Sequence, residues 1–530
     1  MTENMSNRII SVGAIVVLHK IGFTLHEFSM AFRRNALGSI SLRLCIGFLT
    51  SINGWAYLQA DDTRLSVVHP LIQTASIPSQ VNSPYRFELD DYRNVSRHMP
   101  IGVFDSGIGG LTVLEAILDL DAFNNDTLSP GPDGLRDFAN ERFIYLGDQA
   151  NMPYGNYAVV GKEGFLRELI LKDAVFLLGR RYWPSKTASN PVSDKLPIKA
   201  IVIACNTATA YGLEDLRSAM KEWNIPVLVV GVVEAGARGV VEEMDATDGQ
   251  RGVAVLATVG TCSSMAYPKA INASVGIAGK RMPEVIQQGS VGLAGAIEGD
   301  SAYIVDAAKL DEPGRYQGPS IDNASAPLNA SLASRYGFDE EGIAGKPDQP
   351  QSWRLNSIAN YARYDVVSLV EKYRSAGGKI PIDTVVLGCT HFPLIQTEIR
   401  AAFQQLRDFQ EDGQYPYHSL IAEEIRLVNP AELTAKELFR SLARSRLRMT
   451  NQEHSTLASD QFYISVPDPK WPHIRLTPEG ALDRDYKYSR ETEQLTVEDT
   501  RVVPMTTNLL PESSLNLIRT RLPEVWNRLK

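Results

Sequence analysis

Lys199-Ala-Ile-Val-Ile-Ala-Cys-Asn-Thr207 and Asp383-Thr-Val-Val-Leu-Gly-Cys-Thr-His391 are two copies of one layout. Each opens on a polar residue, runs through a short apolar stretch rich in β-branched side chains, and closes on a small residue, Ala204 or Gly388. A cysteine follows, with two hydrogen-bonding side chains behind it. A continuous apolar run of this length reads as a strand buried on both faces, the mark of a parallel sheet covered by helices. Ligands of such sheets bind beyond the carboxyl ends of the strands, where both cysteines fall. Helical patterns start behind each cysteine, at 207–216 and 393–400. Each thiol is thereby predicted to sit at a helix N-terminus, where the dipole favours a thiolate. A single cysteine after a strand is usually a small buried hydrophobe. Two copies with polar trailers, which core packing does not require, point instead to a pair of working thiols on either side of a substrate.

The chain has 530 residues, a net charge of −9 and 44% hydrophobic residues, enough for more than one core. A mildly acidic balance without a basic stripe argues against nucleic acid as the partner. The four cysteines are Cys45, Cys205, Cys262 and Cys389, and neither they nor the eight histidines show metal-ligand spacing. Four cysteines in so long a chain do not make a disulfide framework.

Residues 1–60 read as a signal peptide or an N-terminal arm. The apolar run 9–18 is shorter than the roughly 20 residues a bilayer span needs. A second run, 44–60, follows Arg33, Arg34 and Arg43 and carries Gly54-Trp55-Ala56 as a cleavage site. Export to the periplasm therefore stands beside a cytoplasmic location. Residues 61–98 read as a linker. From Pro100 the pattern is strand–loop–helix: a strand from Ile101 ending in Asp105-Ser106, a glycine turn, and a helix 111–120. The glycines let backbone N–H groups approach an anion, but Thr112 stands where a dinucleotide fingerprint needs its third glycine. A strand at 143–148, a polar turn at 151–156, a helix at 161–178 and a strand at 226–231 continue the series. A second set begins with the strand and turn of 252–261, which mirror the Asp105 strand. Residues 287–300 are glycine-rich and 310–352 read as a surface insertion. A helix at 361–375, a strand entering a helix at 427–435, a polar stretch 446–504, and an amphipathic helix 513–529 capped by Ser513 complete the chain. Alternation of this kind predicts an α/β protein of two pseudo-symmetric, doubly wound parallel-sheet domains with the active site between them. The predicted division is 99–232 plus about 426–530 for one domain and 233–425 for the other.

Six segments then carry a resemblance: Phe104-Asp-Ser-Gly-Ile-Gly-Gly110, Gly147-Asp148, Pro153-Tyr-Gly-Asn156, Ala204-Cys-Asn-Thr-Ala-Thr209, Gly260-Thr261 with Ser264 and Tyr267, and Gly388-Cys-Thr-His-Phe-Pro393. In this order, over about residues 100 to 440, the chain resembles glutamate racemase of the aspartate/glutamate racemase superfamily. The resemblance implies racemisation at Cα by two bases, with no cofactor and no metal. Cys205 and Cys389 would be the acid/base pair, because inversion requires a proton to leave one face and another to arrive at the opposite face. Asp105 and His391 would assist the proton transfers and touch the substrate. Ser106, Tyr154, Gly155, Asn206, Thr207, Thr261 and Thr390 would hold its carboxylates and ammonium. Taken singly, these residues have structural explanations: Thr207 as a helix cap, Asp105 as a turn residue, Tyr154 and Gly155 as loop formers. The partner implied is a small amino acid, glutamate first, with D-glutamate for peptidoglycan as the product; a homodimer is left open. The chain departs from the family where a Cys-Pro motif and a Leu-Val-Glu segment are usual. Residues 281–299 stand there instead, with Glu298 as a candidate stand-in for the family glutamate that the sequence does not place. A racemase for aspartate or a broader set of amino acids, and an inactive exported amino-acid-binding relative, are the alternatives.

Overall fold

The computed structural model describes residues 83–529 apart from 245–248, 305–315, 339–342, 345–348, 451–452, 454 and 494–495. The expected signal peptide or arm lies outside the described residues. Strands β1 (Ile101–Asp105), β2 (Phe143–Gly147), β3 (Ala200–Ile203) and β4 (Leu228–Gly231) begin one sheet. Strands β5 (Gly252–Thr258), β6 (Glu284–Ser290), β7 (Ile382–Gly388) and β8 (Ile421–Val428) form a second. Strands β9 (Gln461–Pro467) and β10 (Thr500–Pro504) return to the first. The orders are β10-β9-β2-β1-β3-β4 and β8-β7-β5-β6. All neighbours run parallel except β10, which pairs antiparallel with β9 at the edge. The protein is thus α/β with two parallel sheets, the first carrying one antiparallel edge strand, a common ending for doubly wound sheets.

Both cysteine strands form as the apolar runs dictate. Every residue of β1, β2 and β3 is buried, and β7 is buried at all but one position. The polar residue opening each run is anchored by an ion pair: Lys199 Nζ to Glu141 Oε2 at 2.5 Å, and Arg251 Nη1 to Asp383 Oδ2 at 3.5 Å. Between the strands lie α1 (Leu111–Leu118), α2 (Gly155–Val159), α3 (Glu163–Leu178), α4 (Asn206–Glu222), α5 (Val232–Glu242), α6 (Val259–Ser263), α7 (Ala266–Ile277) and α8 (Leu293–Glu298). They are followed by α9 (Ile358–Ser375), α10 (Gln396–Arg407), α11 (Pro430–Arg444), α12 (Glu512–Arg521) and α13 (Pro523–Leu529). One apolar cluster runs from Val103 and Val202 of the first sheet through Ala237, Ile271 and Leu438 to Val255 and Val386 of the second. The two sheets therefore share a core, which fixes the ends of their strands relative to one another.

Several expectations are corrected. Residues 83–98, read as linker, are packed: Phe87 meets Trp223 edge-on at 5.1 Å, and Tyr92 Oη donates to the Leu178 carbonyl at 2.6 Å. The 310–352 insertion is more than a surface excursion, because Ala326, Leu328 and Tyr336 belong to the apolar cluster that covers α9. Strand β6 was hidden because Glu284-Val-Ile-Gln-Gln-Gly-Ser lacks an apolar run, as an edge strand permits. Ser513 is not a cap: α12 begins at Glu512 after Pro511 and makes no side-chain cap bond. The helix also breaks before Pro523, whose ring has no N–H to continue it.

Candidate active site

Asp105 ends β1, and the glycine turn folds back over it. Its Oδ2 accepts from Gly110 N at 2.8 Å and from Gly107 N at 3.3 Å. Its Oδ1 is buried without a hydrogen-bond partner, an arrangement that costs about 1–3 kcal/mol unless a ligand completes it. Burial pushes the carboxyl up, against the opposing pull of His391 and the Gly110 N–H. Cys205 is the N-cap of α4, as the sequence predicts, and its Sγ accepts from Ala208 N at 3.4 Å. The thiol reaches Ser106 Oγ at 3.7 Å. Burial, then the Asp105 carboxylate, push this thiol far up.

Cys389 departs from its mirror image. It follows β7, but a 3-10 turn at Phe392–Ile395, with Pro393 in its first positions, intervenes before α10 starts at Gln396. The expected α-helix N-terminus is therefore displaced from this thiol, and an imidazole takes the place of the dipole. His391 Nδ1 lies 3.8 Å from Cys389 Sγ, and Nε2 lies 2.7 Å from Glu298 Oε1. Burial alone would push the imidazole down; the bonds to Cys389 and Glu298 and the Glu298 charge hold it well above its ordinary value. Glu298 arrives on α8, an element the glycine-rich composition of its segment concealed. The residue was visible in the sequence and its partner was not.

The two loops lock together. Thr112 Oγ1 of α1 bridges the Gly109 carbonyl at 2.9 Å and the Thr390 carbonyl at 2.8 Å. A side chain at Gly109 would collide with His391 and come within 2.6 Å of Thr390 Oγ1, so only glycine permits this approach. Asn206 Oδ1 accepts from Tyr267 Oη at 2.6 Å. Thr207, Thr261 and Thr258 form a ring of hydroxyls at 3.0–3.1 Å, so these threonines bond to each other across the two halves. Gly155 packs its backbone on Gly260, where an added Cβ would lie 2.6 Å from the Gly155 carbonyl. The structure thus gathers Asp105, Ser106, Gly155, Cys205, Asn206, Thr207, Thr261, Cys389, Thr390 and His391 at the facing strand ends.

Tyr154 is corrected as a side-chain ligand. Its hydroxyl is buried between Asp148 Oδ2 at 2.5 Å and Asp173 Oδ2 at 2.6 Å. One phenol proton cannot serve two carboxylates, so a second proton must reside on one of them. Burial, then the Asp148 charge, push Asp173 well up. Asp173 is the holder, and Tyr154 is left with only its backbone to offer a ligand.

Among known proteins, the family model described as Asp/Glu/Hydantoin racemase matches residues 185–309. The glutamate racemase of Lysinibacillus sphaericus strain C3-41 is 28% identical over 389 residues, covering 72% of this chain and 96% of the relative. That of Geobacter metallireducens is 30% identical over 337 residues, covering 63% and 77%. The solved glutamate racemase isoform RacE1 of Bacillus anthracis aligns with a TM-score of 0.40 at 22% identity, over 69% of this chain and 88% of that one. With the family model falling across the Cys205 loop and a relative of nearly a third identity spanned over most of its length, the chain belongs to the glutamate racemases, a family of amino-acid racemases.

Proposed function

We propose that this chain interconverts L- and D-glutamate by a cofactor-independent exchange of protons between Cys205, Cys389 and the substrate Cα, supplying D-glutamate for wall peptidoglycan. The observation that carries this reading is the unequal company of the two sulfurs. Cys205 is buried beside a carboxylate, so it rests as a thiol. Cys389 faces an imidazole whose affinity for its proton is raised by its bonds to Cys389 and Glu298, a partner suited to a sulfur acting as base. In one direction the Cys389 sulfur takes the Cα proton, and the electron pair stays on Cα, delocalised into the α-carboxylate. The Cys205 S–H then delivers its proton to the opposite face, leaving the mirror isomer with the two sulfurs' protonation exchanged. The reverse direction runs the same steps backwards, so nothing is consumed. Asp105, with an open oxygen, is suited to the substrate ammonium. Backbone N–H groups at Ser106, Asn206 and Gly155 suit the carboxylates. The two-sheet division supports the same reading, with residues 99–232 and the C-terminal part forming one lobe and 233–425 the other; β8 extends the second lobe to Val428.

The test is the full chain with L-glutamate in D₂O under reducing conditions, following deuterium at Cα and formation of the D-isomer. Deuterium uptake with inversion is expected. No exchange with glutamate while another amino acid exchanges would overturn the glutamate assignment, and no exchange with any amino acid would overturn the racemase reading.

A further inference from the structure

The loop bearing Tyr154 and Gly155 is gripped from the far end of the chain. Arg490, buried after a helical turn at Arg484–Ser489, spreads its guanidinium over four partners, with Nε donating to the Lys487 carbonyl at 3.1 Å. Nη1 donates to Asp499 Oδ2 at 3.0 Å, and Nη2 donates to Asn151 Oδ1 at 2.5 Å and to Tyr157 Oη at 3.0 Å. This fixes the Asn151 amide with its oxygen toward the cation, so its Nδ2 donates to both Asp148 oxygens at 2.9 and 3.0 Å. Asp148 in turn accepts from Tyr154 Oη and from Ser465 Oγ of β9, the latter at 2.6 Å. Beside this chain of bonds, Lys487 Nζ donates to the Met152 carbonyl at 2.6 Å, and Tyr488 meets Tyr157 edge-on at 4.9 Å.

Resting on the racemase reading above, we propose that Arg490 is a positioning residue for substrate binding: acting through Asn151 and Asp148, it sets where the Gly155 backbone stands against Thr258 and Gly260 of the other half. A planar fork is what the job requires. A lysine ammonium is a point charge and cannot hold Asn151, Tyr157 and Asp499 in one plane. Because Gly155 touches Gly260 backbone to backbone, loosening the loop displaces a substrate-facing N–H, and a shift near 1 Å can cost about 10²-fold.

A matched control lies in the same segment. Arg501 is equally buried and pairs with Asp468 at 2.8 Å, donates to the Ala188 carbonyl at 3.1 Å and stacks on Trp183, with none of these partners in residues 148–157. The experiment compares Arg490→Lys and Arg501→Lys in the full chain by KM, kcat, thermal midpoint and amide hydrogen exchange of residues 148–157. Arg490→Lys is expected to raise KM about tenfold or more, to leave kcat within about threefold, and to speed loop exchange. Arg501→Lys is expected to lower the midpoint with KM and loop exchange at wild-type values. Wild-type KM and loop protection in Arg490→Lys would overturn the proposal, as would parallel losses of KM and kcat in both variants. A wild-type chain inert toward every amino acid would instead overturn the racemase reading; the loop-exchange comparison would still decide whether Arg490 holds the loop.

Discussion

Cys205 and Cys389 each follow a buried strand of a parallel sheet, yet one keeps company with Asp105 and Ser106 and the other with His391 and Glu298. The first thiol has a helix N-terminus behind it and a carboxyl beside it; the second has lost the helix to a 3-10 turn and gained an imidazole whose hold on its proton is raised. Pseudo-symmetry of the backbone therefore coexists with opposite electrostatics at the sulfurs. The two-thiol exchange proposed above calls for that opposition, since it begins with one sulfur as acid and the other as base.

The largest expected effect breaks the pair. Cys205→Ala and Cys389→Ala should each reduce racemisation by about 10³-fold. Each should still exchange the Cα proton of one enantiomer in D₂O, and the two variants should choose opposite enantiomers. Exchange of both isomers by either variant, read by proton NMR, would refute the two-face assignment.

Next come the groups around the second sulfur. His391→Asn should cost about 10²-fold in kcat/KM, and Glu298→Gln about tenfold. Racemisation has an equilibrium constant of one, so kcat/KM must fall equally from either enantiomer. The asymmetry of the halves will show only in the single-thiol exchange reactions. Since Glu298, together with Cys389, raises the imidazole's affinity for its proton, its removal should move the alkaline limb of the kcat/KM profile to lower pH. A limb that stays in place would detach Glu298 from His391's protonation.

Each half also buries a carboxyl that holds its proton more tightly than usual, Asp173 in the first and Asp365 in the second. Burial pushes Asp365 up to about 7, and burial with the Asp148 charge pushes Asp173 well up. A carboxyl that holds its proton more tightly when folded stabilises the protein below its ordinary range near pH 4 and loses that contribution as pH rises through the folded value. Stability should therefore fall with rising pH, by up to about 1.4 kcal/mol per pH unit for each group. For Asp365 the fall should be spent just above pH 7, and Asp173 contributes a fall of the same sign. Asp365→Asn should flatten the fall that ends just above pH 7, and Asp173→Asn should reduce the overall fall, in urea midpoints taken from pH 4 to 9. If Asp173→Asn leaves the pH profile unchanged, the shared proton at Tyr154 is refuted. The smallest effect is Ser513→Ala, expected within about 0.5 kcal/mol by urea midpoint, since this serine lies exposed inside α12 rather than capping it.

Much of this was readable in the chain, for a reason particular to buried parallel strands. Runs such as Ile201-Val-Ile and Val385-Val-Leu must be apolar on both faces, so β3 and β7 announce themselves, and the cysteines that follow them fall at the strand ends by geometry alone. Strand β6 and helix α8 lacked such a signal, because an edge strand tolerates Gln287 and Gln288 and a six-residue helix among glycines carries no periodicity. Glu298 could therefore be noticed but not placed.

What the sequence determined by itself was the α/β class, the two cysteine strands, the glycine turn at Asp105 and the membership of each residue in a strand-end loop. These follow from local patterning of period and bulk. The tertiary structure alone decided which imidazole faces which sulfur, that Tyr154 is committed to Asp148 and Asp173, and that Arg490 reaches back more than three hundred residues to Asn151. Such pairings depend on how two sheets share one core and on which groups burial leaves without water, and neither is written in the spacing of residues along the chain.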